Sequence, residues 1–94
     1  MTRSELSQIL SEKQQHLTYK ETENVVKEIF GYMGEALRQG SRIEIRGFGS
    51  FSLRYRKQRL ARNPRTGQKV ETQGKYRPYF RAGQELRDRV NADQ

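Results

Sequence analysis

"RYRKQRLARNPRTGQK", Arg54 to Lys69, holds seven cationic side chains and no acid. A segment so charged cannot enter a protein interior, because an unpaired buried charge costs more than its contacts return. Period-two alternation nonetheless lies on both sides of it. Before it, Phe51, Leu53 and Tyr55 alternate with Ser52, Arg54 and Arg56. After it, Val70, Thr72, Tyr76, Pro78 and Phe80 keep one parity, and Glu71, Lys75, Arg77 and Arg81 keep the other. Two strands joined by a charged excursion predict a ribbon that leaves the body, reverses and returns. Asn63-Pro64 and Thr66-Gly67 are turn chemistry, with Pro64 suited to the first central position of a type I turn. From Tyr55 to Pro64 an extended chain reaches about 30 Å, far beyond any core a chain this small can build. A protruding arm over residues 55–75 is expected.

Working inward from the arm, Ile43 and Ile45 alternate with Arg42, Glu44 and Arg46, and "GFG" (Gly47–Gly49) reads as the hairpin turn to the next strand. Pro78 donates no ladder hydrogen bond, which makes its strand an edge strand or puts Pro78 at the strand's end. Upstream, Thr2-x-x-Glu5 and Thr18-x-x-Glu21 have capping-box spacing, each followed by an apolar helical stripe, and Gly40 is placed to stop the second helix. Gly31 and Gly34 inside that helix are either tolerated surface glycines or points where another backbone comes close. A last short helix runs from Gln84 to about Asn91. The expectation is one α+β domain over residues 1–94, ordered α-α-β-β-β-α. It divides into a helical hairpin (1–40), a three-stranded sheet bearing the arm (41–81), and a C-terminal helix and tail (82–94).

The chain has 94 residues and no cysteine. With an arm subtracted, the remainder is of a size at which monomers are marginal and no disulfide can reinforce them, so a dimer is expected. No apolar run of about 18 residues and no secretory h-region occur, which makes a cytoplasmic protein the default. Charge is unevenly spread. Residues 1–40 carry a net −1, residues 41–81 carry +10 and residues 82–94 carry −1, within a total of +8. Confinement of the excess to one segment points to a polyanion, nucleic acid ahead of an anionic membrane surface.

"RGFGSFSL" (Arg46–Leu53) is close to an RNA-recognition-motif signature, but Ser50 intervenes. Phe48 and Phe51 then fall on opposite faces of any continuous strand and read as core. The glycines match neither a phosphate-binding P-loop nor a dinucleotide fingerprint. His16, the single histidine, sits in the polar link between the first two helices. No constellation supports an enzyme, a metal site or a cofactor. Arg42, Glu44 and Arg46 on one strand, with Arg54 and Arg56 on the next, form either a cross-strand paired surface or a basic platform. One acid against four arginines favours the platform.

Pro64 is either a solvated loop tip or, on a basic arm, a rigid apolar wedge between stacked bases. A ribbon fits the major groove, about 12 Å wide, more readily than the minor groove, about 6 Å. Minor-groove entry therefore requires opening and kinking, which an apolar wedge can hold. A basic RNA-binding protein and a major-groove repressor ribbon remain the competing readings.

At "RIEIRGFGSFSL", "RNPRTG" and "GKYRPYFRAGQELRDR" the chain resembles the bacterial HU and integration host factor family of DNA-bending proteins, over essentially its whole length. Minor-groove binding with an apolar wedge between base steps is a known habit of that family, so the resemblance carries it here. The resemblance implies an intertwined dimer, with an integration host factor alpha subunit or with a second copy, acting in the cytoplasm on the nucleoid. It implies control of recombination, replication, transcription and translation. It implies intercalation by Pro64 and arm contacts from Arg54, Arg56, Lys57, Arg59, Arg62, Asn63, Arg65, Lys69 and Lys75. It further implies sequence preference at Arg42, Glu44 and Arg46, and a phosphate clamp from Arg3, Ser4, Lys27, Gly47, Arg81 and Gly83. The chain departs from the family pattern twice: Ala61 stands where glycine is usual, and Arg59-Leu60 replaces a small or proline-containing pair.

Overall fold

The computed structural model describes residues 1–93, with the side chains of Arg59, Glu71 and Thr72 outside the described set. The last position of the expected tail, Gln94, lies outside it as well. The chain divides into two compact units, Met1–Ala36 and the segment from Leu37 onward.

In the first unit, α1 (Arg3–Lys13) and α2 (Tyr19–Arg38, its end crossing the boundary) start where the capping spacing predicts. The Thr2 hydroxyl accepts the Glu5 N–H at 3.1 Å. At α2 the box is reciprocal: Glu21 N–H donates to the Thr18 hydroxyl at 3.1 Å, and Thr18 N–H donates to the Glu21 carboxylate at 3.0 Å. The Thr18 backbone N–H, and next the Thr18 side chain, hold the Glu21 carboxyl below its ordinary value of 4.5. Gln14 organises the link between the helices. Its carbonyl oxygen accepts the N–H groups of His16 and Leu17, both at 2.9 Å, while its amide donates to the Thr22 hydroxyl at 3.0 Å.

Two hydroxylated side chains, Ser7 and Thr22, are buried, each donating within its own helix to the carbonyl four residues back. Val26 is the one large apolar side chain fully buried among the described residues. Its neighbours on the same helical stripe are not covered: Ile29 is 51 % exposed and Phe30 46 %. Among the described residues, and leaving aside the helix's own backbone, nothing lies within 4 Å of the space a side chain at Gly31 or Gly34 would occupy.

In the second unit, Gly40 takes φ 83° and its N–H closes onto the Leu37 carbonyl at 2.9 Å, ending α2. Strands β1 (Ile43–Ile45), β2 (Gly49–Arg56) and β5 (Lys75–Ala82) form an antiparallel sheet in the order β1-β2-β5. The edge position of β5 explains why Pro78, opposite Leu53, is tolerated. Phe48 N–H bonds the Ile45 carbonyl at 3.0 Å with Gly47 at φ 78°, as a type II turn requires. Phe48 lies in the turn, as expected, but the turn spans residues 46–48 rather than 47–49, and Gly49 already opens β2. Outside the strand, Phe48 escapes its alternation. Phe48 and Phe51 therefore both meet Phe80, at centroid distances of 5.4 and 4.7 Å.

The return strand is also not continuous. Strands β3 (Arg59–Arg62) and β4 (Lys69–Thr72) form a separate two-stranded sheet, divided from the body at residues 57–58 and 73–74. Both sides skip the same number of residues, so the pairing offset that sets Arg56 against Lys75 also sets Arg59 against Thr72. At Gly74, beside the interruption, the Tyr55 hydroxyl fills the space a side chain would need. Helix α3 (Gln84–Asn91) closes the fold, its N-cap Gly83 tied by its N–H to the Phe48 carbonyl at 2.8 Å. The order is α-α-β-β-β-α with a two-stranded arm, as the sequence predicts.

Candidate nucleic-acid interface

Directly paired residues of an antiparallel sheet share a face. One face of β1-β2-β5 holds Ile43, Phe51, Leu53, Pro78 and Phe80. The other holds Glu44 with Ser50 and Arg81, then Ser52 with Tyr79, Arg54 with Arg77, and Arg56 with Lys75. Glu44 is the single acid on that face. Like charges directly opposite are destabilising, so Arg54 against Arg77 and Arg56 against Lys75 is an arrangement that an external polyanion would relieve. This arrangement favours the platform over cross-strand pairing. Arg54 sits over an aromatic neighbour, its guanidinium carbon 3.4 Å from the Tyr79 ring centroid.

The three residues expected together on the first strand are distributed differently. Only Glu44 is a β1 residue; Arg42 precedes the strand and Arg46 sits in the turn. Glu44 pairs along the chain with Arg42 at 3.1 Å, with both side chains well exposed. An exposed pair of this kind is worth about 0–1 kcal/mol.

Past the sheet, the same parity continues to Leu60 and to the Arg62–Lys69 pair of the arm. Lys57 lies in the interruption, and Arg59 opens β3 with its side chain outside the described residues. Pairing closes at Asn63, whose N–H bonds the Gln68 carbonyl at 2.8 Å. The tip is then a four-residue reversal from Pro64 to Gly67. It closes by the Gly67 N–H onto the Asn63 carbonyl at 2.8 Å, one residue beyond the span of a simple type I turn. The Asn63 side chain accepts the Arg65 N–H at 2.9 Å, and Gly67 supplies φ 72°. Pro64 is exposed at the end of this ordered tip.

A cleft of about 470 Å³ lies between the β1–β2 turn and the start of α3, lined by Arg42, Arg46, Arg81 and Arg87 among others. Gly47 and Gly83 border it. Gly83's own N–H is used by Phe48, and the first intrahelical bond is Arg87 N–H to the Gly83 carbonyl at 3.1 Å. No side chain caps the helix, so its first-turn amides are the donors an anion would meet. The Glu85 carboxylate projects over Gly47, an oxygen lying 2.9 Å from where a side chain there would begin. Of the expected clamp residues, Gly47, Arg81 and Gly83 thus converge in the second unit. Arg3 and Ser4 occupy the first turn of α1 and Lys27 is exposed on α2, all within the first unit.

Arg77, Tyr79, Glu85 and Arg87 are not among the site residues the sequence predicts, although Arg77 stands in the strand's alternation. The parity of Lys75 and Arg81 already included Arg77 and Tyr79; Glu85 and Arg87 carried no signal until α3 was docked on the turn. Leu60 was noted only as a departure, and it is 68 % exposed on the face shared with Arg62.

A cationic sheet face running into a proline-tipped ribbon, beside an uncapped helix start, defines a ribbon-armed polyanion-binding protein. The chain belongs to the bacterial DNA-binding protein family that includes HU and integration host factor: the family model "Bacterial DNA-binding protein" matches residues 1–91. It is 59 % identical over 92 residues to the integration host factor beta subunit of Photobacterium profundum, covering 98 % of this chain and 96 % of that one. Against the beta subunit of Alkalilimnicola ehrlichii it is 56 % identical over 92 residues, covering 98 % and 92 %. An Anabaena HU solved as a cocrystal with DNA superposes with a TM-score of 0.87 at 34 % identity, covering 97 % of this chain and 98 % of that one. A Thermotoga maritima HU mutant gives 0.69 at 26 % identity, covering 97 % and 100 %. The family's activity is architectural, binding and bending DNA without catalysis, and the chain is not an enzyme.

Proposed function

We propose that the chain is one half of a dimer that holds duplex DNA by its phosphates and bends it sharply, with Pro64 wedged between base pairs in the minor groove. The observation carrying this reading is the arm. Its pairing offset is unbroken from the sheet to Asn63, and it ends in a hydrogen-bonded tip that exposes a rigid apolar ring. Arm contacts come from Arg54, Arg56, Lys57, Arg59, Arg62, Asn63, Arg65, Lys69 and Lys75. Arg3, Ser4, Lys27, Gly47, Arg81 and Gly83 clamp flanking phosphates, and Arg42, Glu44 and Arg46 supply preference at a short contacted element. Smooth bending of a 20–30 bp site by 40–90° costs on the order of 1–6 kcal/mol, which phosphate contacts along the wrapped flanks offset.

Two observations support assembly: the scarcity of buried apolar side chains, and relatives named as beta subunits. The partner is an integration host factor alpha subunit, with a homodimer as the alternative. The complex acts on the nucleoid in recombination, replication and transcription.

Replacement of Pro64 by Ala is the direct test. A FRET bend assay on end-labelled duplexes should show a smaller bend angle for Pro64→Ala while the melting temperature stays near wild type. An unchanged angle removes the wedge from the mechanism. Equal affinity for duplex RNA in a competition gel would instead move the arm to structured RNA.

A further inference from the structure

We propose that Tyr79 is a positioning residue for DNA binding: its ring holds the Arg54 guanidinium flat against the sheet, edge outward, ready to meet a backbone phosphate. The inference rests on the DNA-binding reading above and assigns a function to a residue that reading leaves idle.

Three features of the sheet carry it. Arg54 sits on the central strand with its guanidinium carbon 3.4 Å from the Tyr79 ring centroid, a direct stacked contact. Tyr79 is not opposite Arg54 but two residues further along β5, across from Ser52. A serine there is too small to cover the ring, so its face stays open to the diagonal neighbour. Directly opposite Arg54 is Arg77, a like charge that pushes the guanidinium away along the strand. Repulsion on one side and the negative face of a ring on the other give Arg54 a single favoured seat.

The consequence is preorganisation. An unrestrained arginine loses substantial rotamer freedom when it engages a ligand, and a guanidinium already stacked has less to lose. Stacking occupies one π face and keeps the in-plane N–H groups available as donors, the geometry that phosphate oxygens accept. Tyr79 belongs to the polar face, on the opposite side of the sheet from the Phe51–Phe80 contact, so its ring is not needed to fill that cluster.

The test is binding of the full-length protein to a 30 bp duplex by anisotropy across a salt series. Four variants are compared with wild type: Tyr79→Leu, Tyr79→Phe, Arg54→Gln and the Tyr79→Leu/Arg54→Gln double. Tyr79→Leu should weaken binding about two- to five-fold for each protomer carrying it. Its slope of log K against log salt should match wild type, because the charge remains. Tyr79→Phe should restore wild-type affinity. Arg54→Gln should lower the slope by about one per protomer, and Tyr79→Leu should add nothing in that background.

Wild-type affinity for Tyr79→Leu, or a full-sized Tyr79→Leu loss persisting without Arg54, overturns the inference while Arg54→Gln still reports a phosphate contact. An unchanged slope for Arg54→Gln takes down the phosphate platform and this inference with it. Should Tyr79→Leu fail to fold, Arg54→Lys tests the same contact with the tyrosine intact. A lysine cannot stack as a plane, so the same loss at unchanged slope supports the inference, and wild-type affinity overturns it.

Discussion

Gly49 carries more of this fold than its size suggests. A side chain there would begin 2.5 Å from the Arg81 carbonyl oxygen and 2.7 Å from the Phe80 ring. Both neighbours are anchored, one as backbone of the adjacent strand and one inside the Phe48–Phe51–Phe80 cluster. Gly49→Ala should therefore destabilise the protein by about 1–3 kcal/mol through overpacking, read as a fall in the urea midpoint at unchanged slope. An alanine tolerated at wild-type stability would mean that the β2–β5 spacing is not as tight as described. The sequence placed Gly49 in a turn, but the steric reason for it was hidden because Phe80 lies 31 positions away in the chain. Tyr79 was hidden likewise, since its partner is set by a diagonal across two strands.

At the scale of the element, helix α2 begins in a reciprocal box whose two bonds both involve Thr18 and Glu21. Thr18→Ala should cost about 0.5–2 kcal/mol, visible as a lowered thermal midpoint at neutral pH. The acid limb has a definite sign. The folded Glu21 carboxyl titrates below its ordinary value of 4.5, so its contribution is fully present above that value. It is lost as pH falls through the lowered folded value. Thermal melts between pH 7 and pH 3 should show this loss in wild type and a shallower decline in Glu21→Gln. Identical acid limbs would assign the decline to other carboxylates. The arm teaches a different lesson at this scale. Alternation and turn chemistry announced two strands and their reversal, but not the break at residues 57–58 and 73–74. Nor does alternation encode the contact beside it, where Tyr55 reaches into the space left by Gly74.

For the whole molecule the outstanding fact is how little apolar surface this chain covers by itself. Val26 alone among the described large apolar side chains is fully buried, while Ile29, Phe30, Phe48, Phe80 and Val90 remain 37–56 % exposed. Fully burying such a side chain is worth about 1.5–3 kcal/mol, so leaving many of them wet removes the main driving force for folding. The proposed dimer would cover this surface, and stability gained on association makes the melting temperature depend on concentration. Differential scanning calorimetry over a hundred-fold range of protein concentration should show the midpoint rising with concentration. A constant midpoint together with a monomeric mass in sedimentation would contradict the dimer.

By itself the sequence determined the order of elements, the helix starts, the existence of an arm and its turn, and the confinement of positive charge to one segment. These are local properties: capping spacing, period-two alternation and side-chain charge are all written in neighbouring residues. Tertiary structure alone decided which faces those charges share, that Arg54 faces Arg77 and stacks on Tyr79, and that the start of α3 meets the β1–β2 turn to form a cleft. Each of these depends on register between segments distant in the chain. A shift of one residue would turn every side chain of a strand to the opposite face.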